Sequence, residues 1–386
     1  MVETEGGAIM PSVSQLIPLL ANGYEEKCFE LGIIQRQRGI KTPADLMMLN
    51  LFHLINGCSL VEISEVGRLL KIGEFSDVAF MKKFAKCTGW FQWISEQLAP
   101  CIVADYQKPT YLQDYRAIAF DATDAVEKGR SGRIYHLHYG IDIFKICSVY
   151  HTITEEDVGE KLSNFALRKG DLAIADRAYG TIGGIAHCID NGADYILRLR
   201  ATCFKIYDNE GEKIDLASRF QALNYEECGE VAGLIHLIDG KTVPIRVCVK
   251  RKSKEAFEKS KKKLRRRESK NGNKLSEATL TFNEFIVLAT SLPDSIPAVD
   301  ILETYRYRWQ IEMYFKRLKS ILGFGELPKK HVDSSLAWLN GKLMVALLVE
   351  LLLAKSVFPP ATKVQPEYLE RDQADCPCPQ NRGYLS

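Results

Sequence analysis

The sequence predicts a mixed α/β fold preceded by an all-helical region. Apolar residues follow helical spacing up to about residue 108, and short apolar strands then alternate with helical segments. The chain has 386 residues, of which 46% are hydrophobic and 26% charged, which is typical of a globular protein rather than a disordered or fibrous one. We therefore expect a helical domain over residues 1–108, an α/β domain over 109–350 and an irregular tail over 351–386.

The N-terminal region contains a pair of predicted helices with a short connection. SLVEISEVGRLL and DVAFMKKFAKC have helical spacing, and the KIGEFS segment between them ends in the capping residue Ser76. Upstream, a further predicted helix begins at Thr42 and Pro43 and ends at Gly57. The helix pair is compatible with a helix-turn-helix that contacts DNA, and equally with a generic helical hairpin.

From about Tyr111 the order of the elements is that of a ribonuclease-H-like sheet, with three strands followed by alternating helix and strand. Strand-like pieces and a basic helix interrupt this order between about residues 201 and 292. The segments before the interruption are, in order, the strand YRAIAFDAT ending at Asp121, the hairpin RIYHLHYGIDI and FKICSVYHTIT, the helical GEKLSNFALRK, the strand DLAIAD ending at Asp176, the helical TIGGIAHCIDNG and the strand ADYILRLR.

Charge and cysteine usage limit the class of protein further. The net charge is only +2, but thirteen Lys or Arg residues lie between Lys250 and Lys274, which indicates a polyanionic partner or else a solvated helix face. The eleven cysteines show no C-x-x-C spacing, and the acidic N-terminus lacks a hydrophobic region, so we expect a reducing cytosol. The apolar run from Leu343 to Glu350 is too short to span a bilayer and predicts a buried helix.

Two aspartates stand out by their position. Asp121 and Asp176 both end predicted strands, at the sheet edge where α/β folds usually hold their ligands, although each could merely cap the next turn. Three other aspartates are alternatives. Asp124 lies beyond the first strand, Asp142 lies in the hairpin, and Asp171 begins a strand and should occupy the opposite edge.

A stripe of polar residues occupies one face of the predicted helix YRYRWQIEMYFKRLKS. Tyr305, Arg308, Glu312 and Lys319 are spaced three, four and seven apart and fall within about 60°. The stripe can be a solvated face with an Arg308–Glu312 ion pair, worth only about 0.3–0.5 kcal/mol. Alternatively, Glu312 joins the two aspartates in an acidic cluster that hard divalent ions, Mg²⁺ or Mn²⁺, would neutralise.

With this spacing and context, the helix resembles the Y-R-E-K motif of the insertion-sequence family-four transposases, a branch of the DDE transposases. The likeness extends to FDAT around Asp121 and IADRAYG around Asp176, and it covers roughly residues 40–350. It implies a ribonuclease-H-like core with a largely β insertion, and a catalytic, metal-binding triad of Asp121, Asp176 and Glu312. It also implies that Tyr305, Arg308 and Lys319 contact DNA.

The expected function is therefore a transposase that cleaves DNA at the ends of its element and transfers the 3′ hydroxyl into target DNA. We expect two Mg²⁺ or Mn²⁺ ions, double-stranded DNA as partner, a homodimer in the DNA complex, no membrane association and a cytoplasmic location. The basic residues expected on the DNA backbone are Lys262, Arg265, Arg266 and Arg267. Two alternatives stay open, namely a catalytically silent DNA-binding descendant and a ribonuclease-H-like nuclease without strand transfer.

Overall fold

The computed structural model describes residues 2–3, 9–10, 13–35, 39–102, 107–129, 132–200, 204–271, 277–328 and 331–355. Most of the predicted tail, from residue 356 onward, lies outside the described residues. The described chain forms two compact units. The first unit contains Met1–Gln107, Ala122–Gly159 and the residues from Ile311 onward, and the second contains Lys108–Asp121 and Glu160–Gln310. The division into three consecutive domains stays a prediction.

The N-terminal part of the first unit is helical apart from one pair of two-residue strands. Its elements are β1 (Val2–Glu3), β2 (Ile9–Met10), α1 (Val13–Leu16), α2 (Tyr24–Glu30), α3 (Pro43–Ile55), α4 (Leu60–Leu69), α5 (Asp77–Phe84) and α6 (Thr88–Leu98), with 3₁₀ turns at Ile17–Leu19 and Ala99–Cys101.

Local sequence explains where these helices begin. The Thr42 side chain accepts a hydrogen bond from Asp45 N at the start of α3, and Ser76 caps α5 in the same way. Ser59 and Glu62 form a reciprocal capping box at α4, which satisfies two backbone donors at once. The predicted helix pair is therefore confirmed as α4 and α5, while its contact with DNA stays a prediction.

After residue 108, strands and helices alternate as predicted, and the mixed α/β fold is confirmed. In chain order the elements are a 3₁₀ turn (Thr110–Leu112), β3 (Arg116–Glu127), β4 (Ile134–Asp142), β5 (Cys147–Glu155), a 3₁₀ turn (Leu162–Asn164), β6 (Asp171–Ala175), α7 (Ile182–Asp190), β7 (Asp194–Arg198), α8 (Leu216–Phe220), β8 (Cys228–His236), β9 (Thr242–Arg251), α9 (Lys254–Asn271), α10 (Glu277–Phe282), β10 (Phe285–Thr290), α11 (Ala298–Arg306), α12 (Trp309–Leu322), β11 (Glu326–Leu327) and α13 (Val332–Lys355).

The second unit is built on strands in the order β3-β6-β7-β10-β9-β8. The first half of β3 pairs in parallel with β6, and β6 pairs in parallel with β7. β10 is antiparallel to β7 and to β9, so β9 runs in the same direction as β7. The carboxyl ends of β6, β7 and β9 consequently lie along one edge of this sheet.

The first unit contains the second half of β3, the β4–β5 hairpin and α13. The hairpin was predicted and is antiparallel, with Tyr135 opposite Glu155. Helix α13 packs against α6 and α3, and Leu343, Met344 and Leu347 on it are fully buried, which confirms the predicted buried helix. By length and composition α13 is apolar enough to cross a membrane over Val332–Ala354, but 72% of its apolar window is buried within the protein, as in a core helix.

One predicted helix is wrong. The segment GEKLSNFALRK forms only the 3₁₀ turn Leu162–Asn164. Its apolar residues Leu162, Phe165 and Leu167 are all buried, but their spacing of three and two does not repeat as a helical seam. Because starting a helix is costly and this segment is short, packing of these three side chains determines its conformation instead.

Candidate active site

The register of the parallel strands places Asp121 and Asp176 side by side in the second unit. Phe120 on β3 is paired with Ala175 on β6, and the two aspartates are the next residue of each strand. Neighbouring strands lie about 4.8 Å apart, and residues in register point to the same face of the sheet. The structure therefore brings together the two aspartates that the sequence singled out, and both are half-buried.

The prediction that the first strand ends at Asp121 is wrong. Strand β3 continues for six more residues to Glu127, and in the first unit its last residues pair in parallel with β11, Val126 opposite Glu326. A charged residue within a strand does not end it when the backbone pairing continues. Asp121 nevertheless interrupts the run of buried residues in β3, because the four residues before it are buried and it is partly exposed.

Arg308 of the Y-R-E-K motif lies beside Asp121 in the second unit, and Tyr305 of the same motif lies beside Arg308. The Arg308 guanidinium forms an ion pair with the Asp121 carboxylate, with 3.4 Å between Nη1 and Oδ2, and the side chains are only 12% and 19% exposed. The same guanidinium lies 5.6 Å from the centre of the Tyr305 ring, which is buried. Arg308 is thus held between an aromatic ring and a candidate catalytic carboxylate.

The motif does not lie on one continuous helix as predicted. Helix α11 ends at Arg306 and α12 begins at Trp309. Across the break, the amides of Tyr307, Arg308 and Gln310 each donate to the carbonyl three residues earlier, so the backbone tightens into 3₁₀-type turns. Tyr305 and Arg308 therefore precede the start of the helix that carries Glu312 and Lys319.

Glu312 and Lys319 lie on α12 in the first unit, and both side chains are half-buried and engaged in interactions. Gly325 faces the Lys319 stem, since a Cβ at Gly325 would lie 3.5 Å from Lys319 Cδ. Within the described residues, no three His, Cys, Asp or Glu side chains form a group that could hold a metal ion. The contribution of Glu312 to a triad consequently stays a prediction.

Tyr179 is a candidate site residue that the sequence argument missed. It follows Asp176 in the turn after β6 and is 1% exposed, and its hydroxyl has no hydrogen-bond partner among the described residues. Burial, followed by the carboxylates of Asp121, Glu160 and Asp176, raises its pKa well above 10.0. A neutral phenol therefore stands near both aspartates. The only sequence signal for it was its place in IADRAYG.

The three alternative aspartates have structural partners of their own. Asp124 binds His136, with 2.7 Å between Oδ1 and Nδ1, and Asp142 accepts hydrogen bonds from the amides of Phe144 and Lys145 at the hairpin turn. Asp171 begins β6, opposite to the end followed by Asp176, and its buried carboxylate forms two hydrogen bonds with Arg116. These contacts account for all three carboxylates without a catalytic role.

Helix α9 presents the predicted basic residues. Lys262, Arg265 and Arg266 are exposed, and within the described part of the chain no ion pair involves them. The backbone of Arg267 belongs to α9, while its side chain is outside the described side chains, as are residues 272–276. The described cations are thus available to an external polyanion.

The neighbouring carboxylates of Asp121 and Asp176 fit a hard divalent cation. Both supply oxygen donors, which Mg²⁺ and Mn²⁺ prefer, and two negative charges on adjacent strands repel each other unless a cation neutralises them. Arg308 already supplies one positive charge to Asp121. The pair is therefore chemically suited to a divalent ion held next to a phosphate.

Paired carboxylates and a guanidinium on a mixed β-sheet suit an enzyme that acts on phosphate esters. Residues 113–348 match the family described as "Transposase DDE domain", so the chain belongs to the DDE transposases, enzymes that act on DNA and generally use divalent metal ions. This family has a ribonuclease-H-like core, as the sequence predicted.

Named relatives agree with the family. The chain is 29% identical over 336 residues to "Putative transposase InsL for insertion sequence element IS186A" of Escherichia coli K12, covering 85% of this chain and 90% of the relative. It is 28% identical over 337 residues to "Transposase for insertion sequence element IS421" of Escherichia coli, with the same coverage. The chain is also 26% identical over 200 residues to "Transposase for insertion sequence element IS231E" of Bacillus thuringiensis subsp. finitimus. This shorter match covers 47% of this chain and 41% of the relative.

Proposed function

We propose that this DDE transposase mobilises an insertion sequence by cleaving DNA at the element ends and joining the freed 3′ hydroxyls to target DNA. The observation that carries the proposal is the row formed by Asp121 and Asp176, with Arg308 on Asp121. The long match to transposases of IS186 and IS421 supports it.

We assign the divalent metal site to Asp121, Asp176 and Glu312, which would hold two Mg²⁺ or Mn²⁺ ions. Ions bound by these residues would supply Lewis-acid activation of the attacking oxygen and stabilisation of the leaving oxygen. Asp121 and Asp176 orient the reacting centre from adjacent strands of one rigid sheet, which keeps their spacing fixed. Glu312 enters this assignment through the motif and the family resemblance.

The cationic residues of the motif bind the DNA backbone in this proposal. Arg308 presents a planar guanidinium that can form two hydrogen bonds to one phosphate, and its position beside Asp121 directs it to the phosphate that reacts. The Tyr305 ring fixes the guanidinium by stacking. Lys319 adds a point charge for another phosphate oxygen.

Tyr179 keeps a neutral hydroxyl near both aspartates, where it can donate to a reacting oxygen or a water.

We also propose that two copies act together in the DNA complex, in the bacterial cytoplasm and without a membrane partner. Joining both ends of one element in a single event requires two catalytic sites, which a homodimer supplies.

The direct test is an assay with duplexes that carry the inverted repeats flanking the gene. With Mg²⁺ or Mn²⁺ we expect cleavage at the element end followed by joined products in a target plasmid, and with Ca²⁺ binding without efficient cleavage. Excess chelator should abolish both reactions. Cleavage without joined products would indicate a nuclease, specific binding without cleavage would indicate a silent DNA-binding descendant, and robust cleavage in chelator would exclude the metal mechanism.

Helix α9 gives a separate prediction about binding. Replacing Arg265, Arg266 and Arg267 with Ala should weaken binding to unrelated duplexes, and the slope of log K against log salt should fall by about 0.9 for each phosphate that the variant no longer neutralises. Lys241→Ala is a suitable control, because Lys241 is exposed and already paired with Asp239 at 2.8 Å. An unchanged slope in the triple variant would make α9 a solvated helix face.

A further inference from the structure

Three cations gather near the carboxylates at the strand-end edge of the second unit. Ala175 on β6 is paired with Leu197 on β7, so the next residues, Asp176 and Arg198, are also neighbours in register. Arg177 follows Asp176 directly, and Lys252 follows the end of β9 at the same edge. The row Asp121–Asp176 is therefore continued by a basic cluster consisting of Arg177, Arg198 and Lys252.

The electrostatics show that these cations are close to one another. The positive charge of Arg198, together with burial, lowers the pKa of Arg177 to about 10. Burial, followed by the charges of Arg198 and Arg177, lowers the pKa of Lys252 to about 7. The negative charges of Asp176 and Glu284 act in the opposite direction on Arg177 and Lys252, and an external anion would reduce the repulsion among the three cations further.

Neither arginine of the cluster forms an ion pair within the part of the chain that the structure describes. The Nε atoms of Arg177 and Arg198 are buried without a hydrogen-bond partner, and no ion pair involves either side chain among the described residues. Arg251 and Arg116 in the same unit do form ion pairs, with Glu284 at 2.9 Å and with Asp171 at 2.7 Å, although the Nε atom of Arg251 also lacks a hydrogen-bond partner. Half-buried guanidiniums without an ion pair are costly, so Arg177 and Arg198 have the properties of an anion-binding site.

We propose that Arg177 and Arg198 bind one backbone phosphate of the DNA duplex, next to the phosphate that reacts at Asp121 and Asp176, an inference that rests on the proposed function. Two guanidinium groups match the several oxygens of a phosphodiester. Lys252 contributes charge rather than direct contact, because its Nζ already donates to the carbonyl and side-chain oxygens of Asn283.

A polymeric phosphate fits this cluster better than a small free anion. Helix α9 begins at Lys254, two residues after Lys252, and presents the exposed Lys262, Arg265 and Arg266. The cations of α9 therefore belong to the same unit as the basic cluster and follow Lys252 directly in the chain. A DNA strand can contact successive positions along such a series, whereas inorganic phosphate can use only one.

The test measures binding of a duplex carrying one terminal inverted repeat, in chelator and over a range of salt concentrations. We expect Arg198→Gln and Arg177→Gln each to bind several-fold more weakly at low salt. Because the two side chains share one phosphate, only the double variant should lower the salt slope by about 0.9, and it should bind about tenfold more weakly or worse. Arg219→Gln, a change at an exposed arginine on α8, should alter neither quantity. Wild-type affinity in Arg198→Gln, or a wild-type slope in the double variant, would overturn the inference.

A second measurement identifies which phosphate is bound, and a second variant keeps the test decisive if the first does not fold. Duplexes with one uncharged methylphosphonate are compared position by position. One position should weaken wild type about tenfold, weaken Arg198→Gln by less, and leave the double variant Arg177→Gln with Arg198→Gln unaffected. Equal effects of every position on all three proteins would overturn the inference. If Arg198→Gln fails to fold, Arg198→Lys replaces it, because lysine keeps the charge but not the planar guanidinium. The methylphosphonate at the same position should then weaken binding by Arg198→Lys less than it weakens binding by wild type. An effect equal to that on wild type would overturn the inference.

The outcomes separate this inference from the proposed function. Binding is measured without metal, so a protein that needs Arg198 for binding but never cleaves would contradict only the transposase mechanism. A protein that cleaves and joins normally with both glutamine variants would contradict only the phosphate site. Competition by excess inorganic phosphate, with no methylphosphonate position affected, would assign the cluster to a free anion and overturn the DNA contact.

Discussion

Asp121→Asn and Asp176→Asn should each reduce DNA cleavage by about 10³-fold or more, while binding of element-end DNA is kept or strengthened. Each change preserves the shape of the side chain and removes one anionic oxygen donor from the adjacent-strand pair. Removing a single preorganised group at a reacting centre commonly costs about 10²–10³ in rate, and removing a metal ligand affects every step that needs the ion. Rates of end cleavage and joining in Mg²⁺, with affinities measured in chelator, test this expectation.

Asp124→Asn is the matched control for the first variant. Asp124 lies on the same strand three residues later, is similarly half-buried, and is bound to His136. We expect it to cleave within a few-fold of wild type. Full cleavage by Asp121→Asn together with abolished cleavage by Asp124→Asn would move the catalytic role from Asp121 to Asp124, and full cleavage by both Asp121→Asn and Asp176→Asn would remove the metal assignment.

The positions of the strands that carry or precede Asp121 and Asp176 could be predicted from the sequence. Short apolar runs bounded by polar residues located β3, β6 and β7, because buried parallel strands are nearly continuous in hydrophobicity. The aspartates could be selected for the same reason, since a charged residue after such a run lies at a sheet edge. Where pairing continued, as in β3 beyond Asp121, the charge marked a change in exposure and not the end of the strand.

The break between α11 and α12 could not be predicted from periodicity. Residues 305–312 contain no Pro or Gly, and their apolar spacing suits an uninterrupted helix. At the observed turn, Arg308 donates a hydrogen bond to Asp121, which lies 187 positions earlier in the chain. Local propensity carries no information about a partner at that separation.

The basic cluster was missed for a related reason. Arg177, Arg198 and Lys252 belong to different elements, and each looks ordinary in its own segment of sequence. Only the register of β6 with β7, and the parallel direction of β9, bring these residues to one sheet edge. The dense basic run of α9 was visible because its charges are consecutive, although the less conspicuous cations lie nearer to Asp176.

The second large effect concerns the motif around the helix break, where neighbouring residues should fail in different ways. Glu312→Gln should abolish cleavage but leave the affinity for element-end DNA equal or higher, because a negative charge near DNA is removed. Arg308→Ala and Lys319→Ala should weaken binding, most strongly at low salt where phosphate contacts contribute most. Arg308→Ala also leaves the Asp121 carboxylate without its ion pair, so its cleavage should fall more than its affinity does.

Conservative changes beside these residues distinguish their roles from a solvated helix face. Tyr305→Phe keeps the ring that lies 5.6 Å from the Arg308 guanidinium and should cost at most about 0.5–1.5 kcal/mol of binding. Arg306→Ala and Glu303→Gln are matched controls on α11, because these two residues pair with each other at 2.7 Å and should leave cleavage and binding unchanged. If the stripe were only a solvated face, Arg308→Ala, Glu312→Gln and Lys319→Ala would behave like these controls. Full activity of Glu312→Gln would remove that carboxylate from the catalytic assignment, while abolished cleavage with retained affinity would distinguish metal binding from the phosphate binding of Arg308 and Lys319.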